Sequence, residues 1–217
     1  MALSALTSKQ FEKWVKPPVF LALAIPFLWL VWQWYLAFSG LPNGMGFNPQ
    51  EVSNRFSGDW ALRYLILGLM ITPLATLTGY AQWIMLRRMI GLYAFFYVAV
   101  HMISFIWLDK LFAWAELWQD VLRRPYITVG MAAFLILTPL AITSSRAAIK
   151  RLGARNWARL HKLVYAACLL SALHFIIMRK GFQAEPLIYL AIIAALLAFR
   201  LIPKRTFRRK KPAAVAG

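Results

Sequence analysis

The stretch that decides the fold is residues 159–174, RLHKLVYAACLLSALH, an apolar run that contains two of the chain's three histidines, His161 and His174. The third histidine, His101, lies in a second apolar run, LYAFFYVAVHMISFIW at residues 92–107. Ionisable side chains are costly inside an apolar span, and they therefore mark candidate functional positions.

The composition is that of an integral membrane protein. Of the 217 residues, 61% are hydrophobic and 15% are charged, and the mean hydropathy is +0.61, whereas soluble domains are roughly half apolar and about a quarter charged. The net charge of +18 does not indicate nucleic-acid binding, because the basic residues lie between long apolar runs. The single cysteine, Cys168, excludes an intrachain disulfide, a CxxC site, a cysteine-ligated iron–sulfur cluster and a CxxCH haem attachment.

Six apolar runs are long enough to cross a bilayer, which takes about 20 residues. We therefore predict an all-α integral membrane fold, a six-transmembrane-helix bundle between a cytoplasmic N-terminal tail (1–16) and a basic, disordered cytoplasmic tail (203–217). Pro73 and Pro139, each late in an even-numbered span, are expected to kink their helices. The bundle covers residues 17–202, and its predicted spans are residues 17–38, 60–80, 89–108, 126–143, 160–178 and 186–202.

The distribution of lysine and arginine predicts the orientation. Of the 25 cationic residues, 18 fall on the side of the bundle that carries both termini and 7 on the other side. Short cytoplasmic loops carry the excess, so both termini are predicted to be cytoplasmic. The longest external segment, residues 39–59, is read as a loop too short for a catalytic domain. Trp114 and Trp118 are typical of an interfacial helix, with partner docking as the alternative.

His101 and His174 are predicted to lie at matching depth. At 1.5 Å per residue, His101 is ~18 Å and His174 ~21 Å from the cytoplasmic starts of spans three and five, which run in the same direction. Two neutral imidazoles so placed can clamp one haem, and a six-coordinate haem suits electron transfer because no position remains open for oxygen. The alternative is that the histidines serve helix packing or proton transfer.

His161 does not share this geometry. Thirteen residues separate it from His174, and an ideal helix turns by about 220° beyond whole turns over that distance, so the two would not share a face. A partner for a second haem would be needed where Arg87 and Arg88 stand. These arginines could instead bind a flavin phosphate or haem propionates, because guanidinium pairs well with both anions. Orientation by positive charge is the alternative for the arginines, and helix packing or proton transfer for His161.

A series of motifs along nearly the whole chain resembles the MsrQ family, the haem-binding membrane subunits of bacterial periplasmic methionine-sulfoxide reductase systems, within the ferric-reductase-like transmembrane superfamily. The motifs are PFLWLVW (26–32), FSGDWALRYL (56–65), RRMIGL (87–92), RRPYITVG (123–130), TSSRAAIKRLG (143–153), WARLHKLVY (157–165) and PLIY (186–189).

The resemblance implies a multi-pass b-type cytochrome of the bacterial inner membrane that carries electrons to MsrP, a periplasmic molybdopterin-containing subunit that reduces methionine sulfoxide. It implies haem b on the histidine positions that match His101, His174 and His161, with one haem or two, and FMN has been associated with the family. The electron donor would be quinol or a cytosolic flavin reductase. The chain departs from the wider superfamily's four-histidine pattern at Arg87, which puts a two-haem arrangement in doubt.

Two other functions fit the sequence. A stand-alone ferric or other metal reductase would use the same haem ligands. A cofactor-free assembly or transport subunit would use the histidines for packing or proton transfer, and it would show no visible absorbance. The short external segments hold no candidate substrate-reducing site, so we expect that site to lie on a partner.

Overall fold

The computed structural model describes residues 7–179 and 183–202, and within these ranges every regular element is a helix. Three 3₁₀ turns, Ala81–Leu86, His161–Leu163 and Phe199–Leu201, and one π turn, Phe105–Asp109, interrupt or extend the α-helices. The α-helices are α1 (Ser8–Trp14), α2 (Lys16–Phe38), α3 (Pro49–Thr78), α4 (Arg87–Ser104), α5 (Trp114–Arg123), α6 (Pro125–Ile142), α7 (Arg146–Leu152), α8 (Ala154–Leu160), α9 (Val164–Met178) and α10 (Ala184–Ala198).

Six helical segments in the described part of the chain are long and apolar enough to cross a membrane, which confirms the predicted number of spans and the all-α class. The orientation of the termini stays a prediction, and the predicted tail at residues 203–217 lies outside the described residues. The six segments are Ser8–Phe38, Pro49–Thr78, Ala81–Asp109, Pro125–Ile142, Ala154–Met178 and Ala184–Leu201.

The second span begins earlier than predicted. Asn48 caps α3 with its side chain, which accepts a hydrogen bond from Glu51 N, and Pro49 occupies the first helical position. Both features are typical of a helix start. The residues that follow them are polar, however, and the sequence therefore predicts a loop at residues 49–59. The loop that is predicted to be external therefore ends at Asn48, and α3 extends about 17 Å beyond the start of the apolar run.

The N-terminal segment also has more structure than a tail. Helix α1 is closed by a capping box between Thr7 and Gln10. Phe11 is fully buried, and its ring packs edge-on against Tyr80 and Trp83, at centroid distances of 5.9 and 6.1 Å. The contact joins the start of the chain to the turn that links the second and third spans.

Helices α3 and α4 pack along each other, as do α6 and α9, and α10 covers α9 and α3. At Pro73 of α3 the chain has no N–H to donate to Leu69 O. The Arg200 guanidinium, at the end of α10, donates to that carbonyl at 2.8 Å and to Leu196 O at 2.5 Å. This contact ties α10 to the middle of α3.

Candidate functional site

His101 and His174 face each other across a cavity between α3, α4, α6 and α9. Their ring centroids are 6.1 Å apart and their planes are inclined by 77°. Both histidines line the cavity, which encloses about 1070 Å³ including the part open to the surface. We call it the outer cavity, after the predicted outer half of the bundle. The structure thus brings together the two histidines that the depth estimate paired.

Each histidine is held by a backbone carbonyl of the helix opposite. His101 Nδ1 lies 2.9 Å from Asn54 O on α3, and His174 Nδ1 lies 2.6 Å from Tyr126 O on α6. A carbonyl oxygen can only accept, so each Nδ1 carries the proton and donates. Each Nε2 is left with a free lone pair on a neutral imidazole, which is the form that ligates a metal.

A glycine stands beside each of these contacts. A Cβ built on Gly58 would lie 3.0 Å from His101 Nδ1, and a Cβ built on Gly130 would lie 2.8 Å from His174 Nδ1. Real Cβ atoms essentially never come closer than 3.0 Å to such an atom. The His174 ring therefore occupies space that a Cβ at position 130 would need, and the His101 ring lies at the limit of contact for a Cβ at position 58.

The arrangement fits a metal bound between two imidazoles. Metal–nitrogen bonds of about 2 Å, with roughly 1 Å from each bonded nitrogen to its ring centre, separate two ring centres by about 6 Å, and the observed separation is 6.1 Å. In the described part of the chain, no group of three or more His, Cys, Asp or Glu side chains could hold a bare ion. A metal here would need further ligands from its own cofactor, and the four nitrogens of a porphyrin meet that need.

A second cavity lies on the other side of the bundle's centre. It encloses about 1420 Å³ including open space, and His161, Arg87 and Arg88 all line it. We call it the inner cavity. Its remaining polar and aromatic lining is Ser144, Lys162, Tyr64, Phe95, Trp157 and Tyr165. The sequence grouped the arginines with His161 by position along the spans, and the structure places all three on one cavity.

His161 is held differently from the outer pair. Its Nε2 lies 3.2 Å from Thr143 Oγ1, and its ring stacks on Trp157 at a centroid distance of 4.0 Å. Trp157 Nε1 in turn donates to Thr143 O. All three histidines of the chain are described, and no second one lines this cavity. The donor set here suits an anionic, planar group better than a clamp of two imidazoles.

The helix around His161 contains the tightened turn that the rotation estimate lacked. Residues His161–Leu163 are a 3₁₀ turn between α8 and α9. Three residues at ~120° instead of ~100° add about 60° of rotation, which brings His161 and His174 closer to one face. The angular separation of the two side chains falls from about 140° to about 80°, and His174 lines the outer cavity while His161 lines the inner one.

The two cavities share a wall. Leu65 and Leu137 line both of them. Phe95 lines the inner cavity and Phe134 the outer one, and their rings stack at 6.1 Å with an angle of 15°. Only one layer of side chains therefore separates the two spaces.

Charged residues at the outer end connect the two histidine-bearing halves. Asp120 of α5 pairs with Lys110, which follows the π turn after α4, and with Arg124 at 2.9 Å. Arg124 Nη1 donates to the Tyr126 hydroxyl at 3.2 Å, and Tyr126 supplies the carbonyl that holds His174. The network fixes the start of α6, where that carbonyl lies.

Sequence reasoning missed Asn54, Gly58, Tyr126 and Gly130. Asn54 and Gly58 lie in the stretch that the sequence predicts to be loop, and Asn54 and Tyr126 hold the histidines through main-chain atoms, which carry no residue-type signal. One signal is visible in hindsight, because each carbonyl residue precedes its glycine by four positions. Its meaning depends on knowing which helices face the histidines.

Comparison with known proteins places this chain in a family. The family model of the ferric reductase like transmembrane component matches residues 57–172. Three relatives are named protein-methionine-sulfoxide reductase heme-binding subunit MsrQ. The protein of Rhodospirillum rubrum is 44% identical over 88% of this chain and 89% of its own. That of Xanthomonas euvesicatoria pv. vesicatoria is 44% identical over 89% and 88%, and that of Polaromonas naphthalenivorans is 43% identical over 88% and 87%.

These matches cover the helices that carry His101, the two glycines and the greater part of α9, and the relatives match almost from end to end. Such similarity over most of both chains is shared by homologues of one fold and one family. The chain belongs to the MsrQ family of the ferric-reductase-like transmembrane proteins.

Proposed function

We propose that this chain is a b-type haem subunit that carries electrons across the bacterial inner membrane to MsrP, a periplasmic molybdopterin-containing enzyme that reduces methionine sulfoxide in oxidised proteins. The observation that carries the proposal is the pair of facing imidazoles 6.1 Å apart, each with Nδ1 bonded to a helix carbonyl. The names of the relatives, heme-binding subunits of a methionine-sulfoxide reductase, support it.

His101 and His174 would hold haem b through Nε2, one from each side. The bound haem supplies one-electron oxidation and reduction. The protein would contribute two neutral imidazole ligands with fixed tautomers, and a haem held by both would have no open site for oxygen or a substrate. Apolar residues from α3, α4 and α6 exclude water from the cavity walls, among them Leu62, Val98 and Ala133. The substrate-reducing site is assigned to the partner.

The direction of transfer follows from the orientation. Both termini are assigned to the cytoplasm because 18 of the 25 cationic residues lie on that side, so the histidine pair lies in the periplasmic half. The donor is quinol or a cytosolic flavin reductase, and the chain is a multi-pass protein of the lipid bilayer. No nucleic acid is involved.

The spectrum of the purified protein tests the proposal, and we expect a low-spin, bis-imidazole b-type signal. His101→Ala and His174→Ala should each abolish it, while His161→Ala should keep it with one haem per chain. A haem-to-protein ratio near two, with part of the haem lost in His161→Ala, would show that the chain binds two haems and not one. A haem that reduces ferric chelates directly while failing to reduce MsrP would favour the stand-alone metal reductase. A colourless protein would favour the assembly or transport subunit.

The inner cavity is proposed to bind a planar anionic group, with Arg87 and Arg88 pairing its phosphate or carboxylates and His161 lining the pocket. FMN and the propionates of a second haem are the two candidates. In Arg87→Gln, Arg88→Gln, we expect bound FMN or the second haem to be lost while the outer haem signal and membrane insertion are unchanged. If the cofactor content is unchanged, the two arginines serve only to set the orientation of the chain in the membrane.

A further inference from the structure

The two halves of the outer site repeat one local design. On α3, Asn54 O accepts from His101 and Gly58 follows four residues later. On α6, Tyr126 O accepts from His174 and Gly130 follows four residues later. The histidines come from different helices, α4 and α9, yet each meets the same carbonyl-and-glycine arrangement on its neighbour.

Helix geometry explains the spacing. In an α-helix the carbonyl of residue i lies beside residue i+4, and every Cα–Cβ bond tilts towards the N-terminus. The Cβ of residue i+4 therefore leans over the carbonyl of residue i. The imidazole rings that donate to Asn54 O and Tyr126 O approach along this side of the carbonyl, so that a Cβ at position 58 or 130 would lie 3.0 or 2.8 Å from the ring nitrogen, and glycine leaves that place empty.

We propose that Gly58 and Gly130 are positioning residues for the haem ligands. By leaving that place empty they let His101 and His174 donate Nδ1–H to a helix carbonyl, which sets the tautomer and holds the two ring planes near perpendicular. The proposal rests on the proposed haem function. It assigns a role to two residues that touch neither iron nor substrate.

The clash that a Cβ would make with the imidazole is more severe at position 130 than at position 58. The closest imidazole atom would lie 2.8 Å from a Cβ at position 130 and 3.0 Å from one at position 58. An alanine at 130 therefore cannot be accommodated without a shift of the His174 ring or of α9. An alanine at 58 is at the limit of observed contacts. The matched control for the outer site is Gly68→Ala in α3, which lines the inner cavity and not the outer one, and whose Cβ would meet Ile90 Cγ2 at 3.7 Å, an ordinary contact.

The expected changes concern the electronic state of the haem. A near-perpendicular pair of imidazole planes gives a strongly anisotropic low-spin electron paramagnetic resonance signal, and rotation of one ring shifts that signal. The Nδ1–H bond to a carbonyl makes the imidazole a stronger electron donor. Its loss therefore destabilises ferric haem and raises the midpoint potential.

The experiment compares the full-length holoprotein with Gly58→Ala, Gly130→Ala and Gly68→Ala. Gly130→Ala is expected to shift the resonance signal, raise the midpoint potential and weaken haem affinity by about tenfold or more, in the range of outer-shell changes at metal sites. Gly58→Ala should change the same quantities less, and Gly68→Ala should match the wild type.

A double-mutant cycle separates positioning from general helix packing. Gly130→Ala should lower the unfolding temperature of the wild type; in the His174→Ala background the three atoms nearest to a Cβ at position 130, all of the His174 ring, are gone, so the same substitution should lower it less. A wild type without haem would overturn the proposed function. A wild type with the expected haem, combined with an unchanged Gly130→Ala signal or an equal loss of stability in both backgrounds, would overturn the positioning role alone.

Discussion

At the scale of single residues, the Tyr97 hydroxyl completes the hydrogen bonding of α2. It accepts from Phe27 N at 2.8 Å and donates to Leu23 O at 3.1 Å, two groups one helical turn apart beside Pro26. Tyr97 is 1% exposed, so solvent cannot replace it. A hydroxyl inserted in this way keeps both backbone groups paired where proline disturbs the helix.

We expect Tyr97→Phe to lower the free energy of unfolding by about 1–3 kcal/mol, because it leaves the half-buried N–H of Phe27 without its acceptor. The matched control is Tyr93→Phe, one turn earlier on α4. The Tyr93 hydroxyl donates to Phe20 O at 3.0 Å. Its removal takes from this helix carbonyl only a donor additional to the helical one, and it leaves no backbone N–H without an acceptor. Thermal unfolding in detergent, followed by circular dichroism, should show the larger loss for Tyr97→Phe. Equal losses would contradict the assignment.

The residues of the outer site differ in how well the sequence predicts them. His101 and His174 are predictable because burial of an ionisable group and the rise of a helix fix their depth. Asn54 and Tyr126 are not, because they act through carbonyl oxygens that every residue has. Gly58 and Gly130 resemble the small residues common in membrane helices, and only the position of the opposing ring distinguishes them.

At the scale of elements, the contact between Pro73 and Arg200 couples two spans. Proline at position 73 leaves Leu69 O without its usual helical donor, and Leu69 is 2% exposed. The Arg200 guanidinium fills that place from α10 and lies 5.3 Å above the Tyr165 ring of α9. One side chain therefore holds three helices at the level of the proline.

We expect Arg200→Met to lower the free energy of unfolding by about 1–3 kcal/mol, because a buried carbonyl loses its donor. In a Pro73→Ala background the new N–H can bond to Leu69 O, so the same substitution should cost less. The four variants form a double-mutant cycle, read by thermal unfolding in detergent. A cost of Arg200→Met that is unchanged by Pro73→Ala would show that the arginine acts through Leu196 O or Tyr165 instead.

Hydropathy alone predicts the number of the helices but not their exact bounds or interruptions. The six apolar runs give the number of helices, because length and apolar content suffice for that. The start of α3 was missed because the Asn48 cap and Pro49 precede a polar turn, and the polarity outweighed the start signal. The 3₁₀ turn at His161–Leu163 was not predictable, since it depends on Trp157 and Thr143 packing around His161.

At the scale of the whole molecule, the two cavities lie in sequence across the bundle, separated by Leu65, Leu137 and the stacked rings of Phe95 and Phe134. The sequence could place the histidines along this direction but not the spaces between helices, because cavity shape depends on side-chain packing. The outer cavity reaches the surface at Arg55, which lines it and has a side chain 49% exposed. A cofactor in it would therefore be accessible from one side.

This asymmetry predicts the response to a membrane-impermeant reductant. If both termini are cytoplasmic, as proposed, the opening of the outer cavity at Arg55 faces the periplasm. Right-side-out vesicles should then show fast reduction of the proposed outer haem by external dithionite, and inverted vesicles slow reduction. A fluorescent protein fused to the C-terminus serves as the matched control of sidedness, and external protease should remove it only from inverted vesicles. Fast reduction in the vesicles whose tag is cleaved would place the histidine pair on the cytoplasmic side. The proposed route, from the cavity of Arg87 and His161 outward through the histidine pair to the partner, would then be wrong. Electrons would have to meet the two cavities in the opposite order.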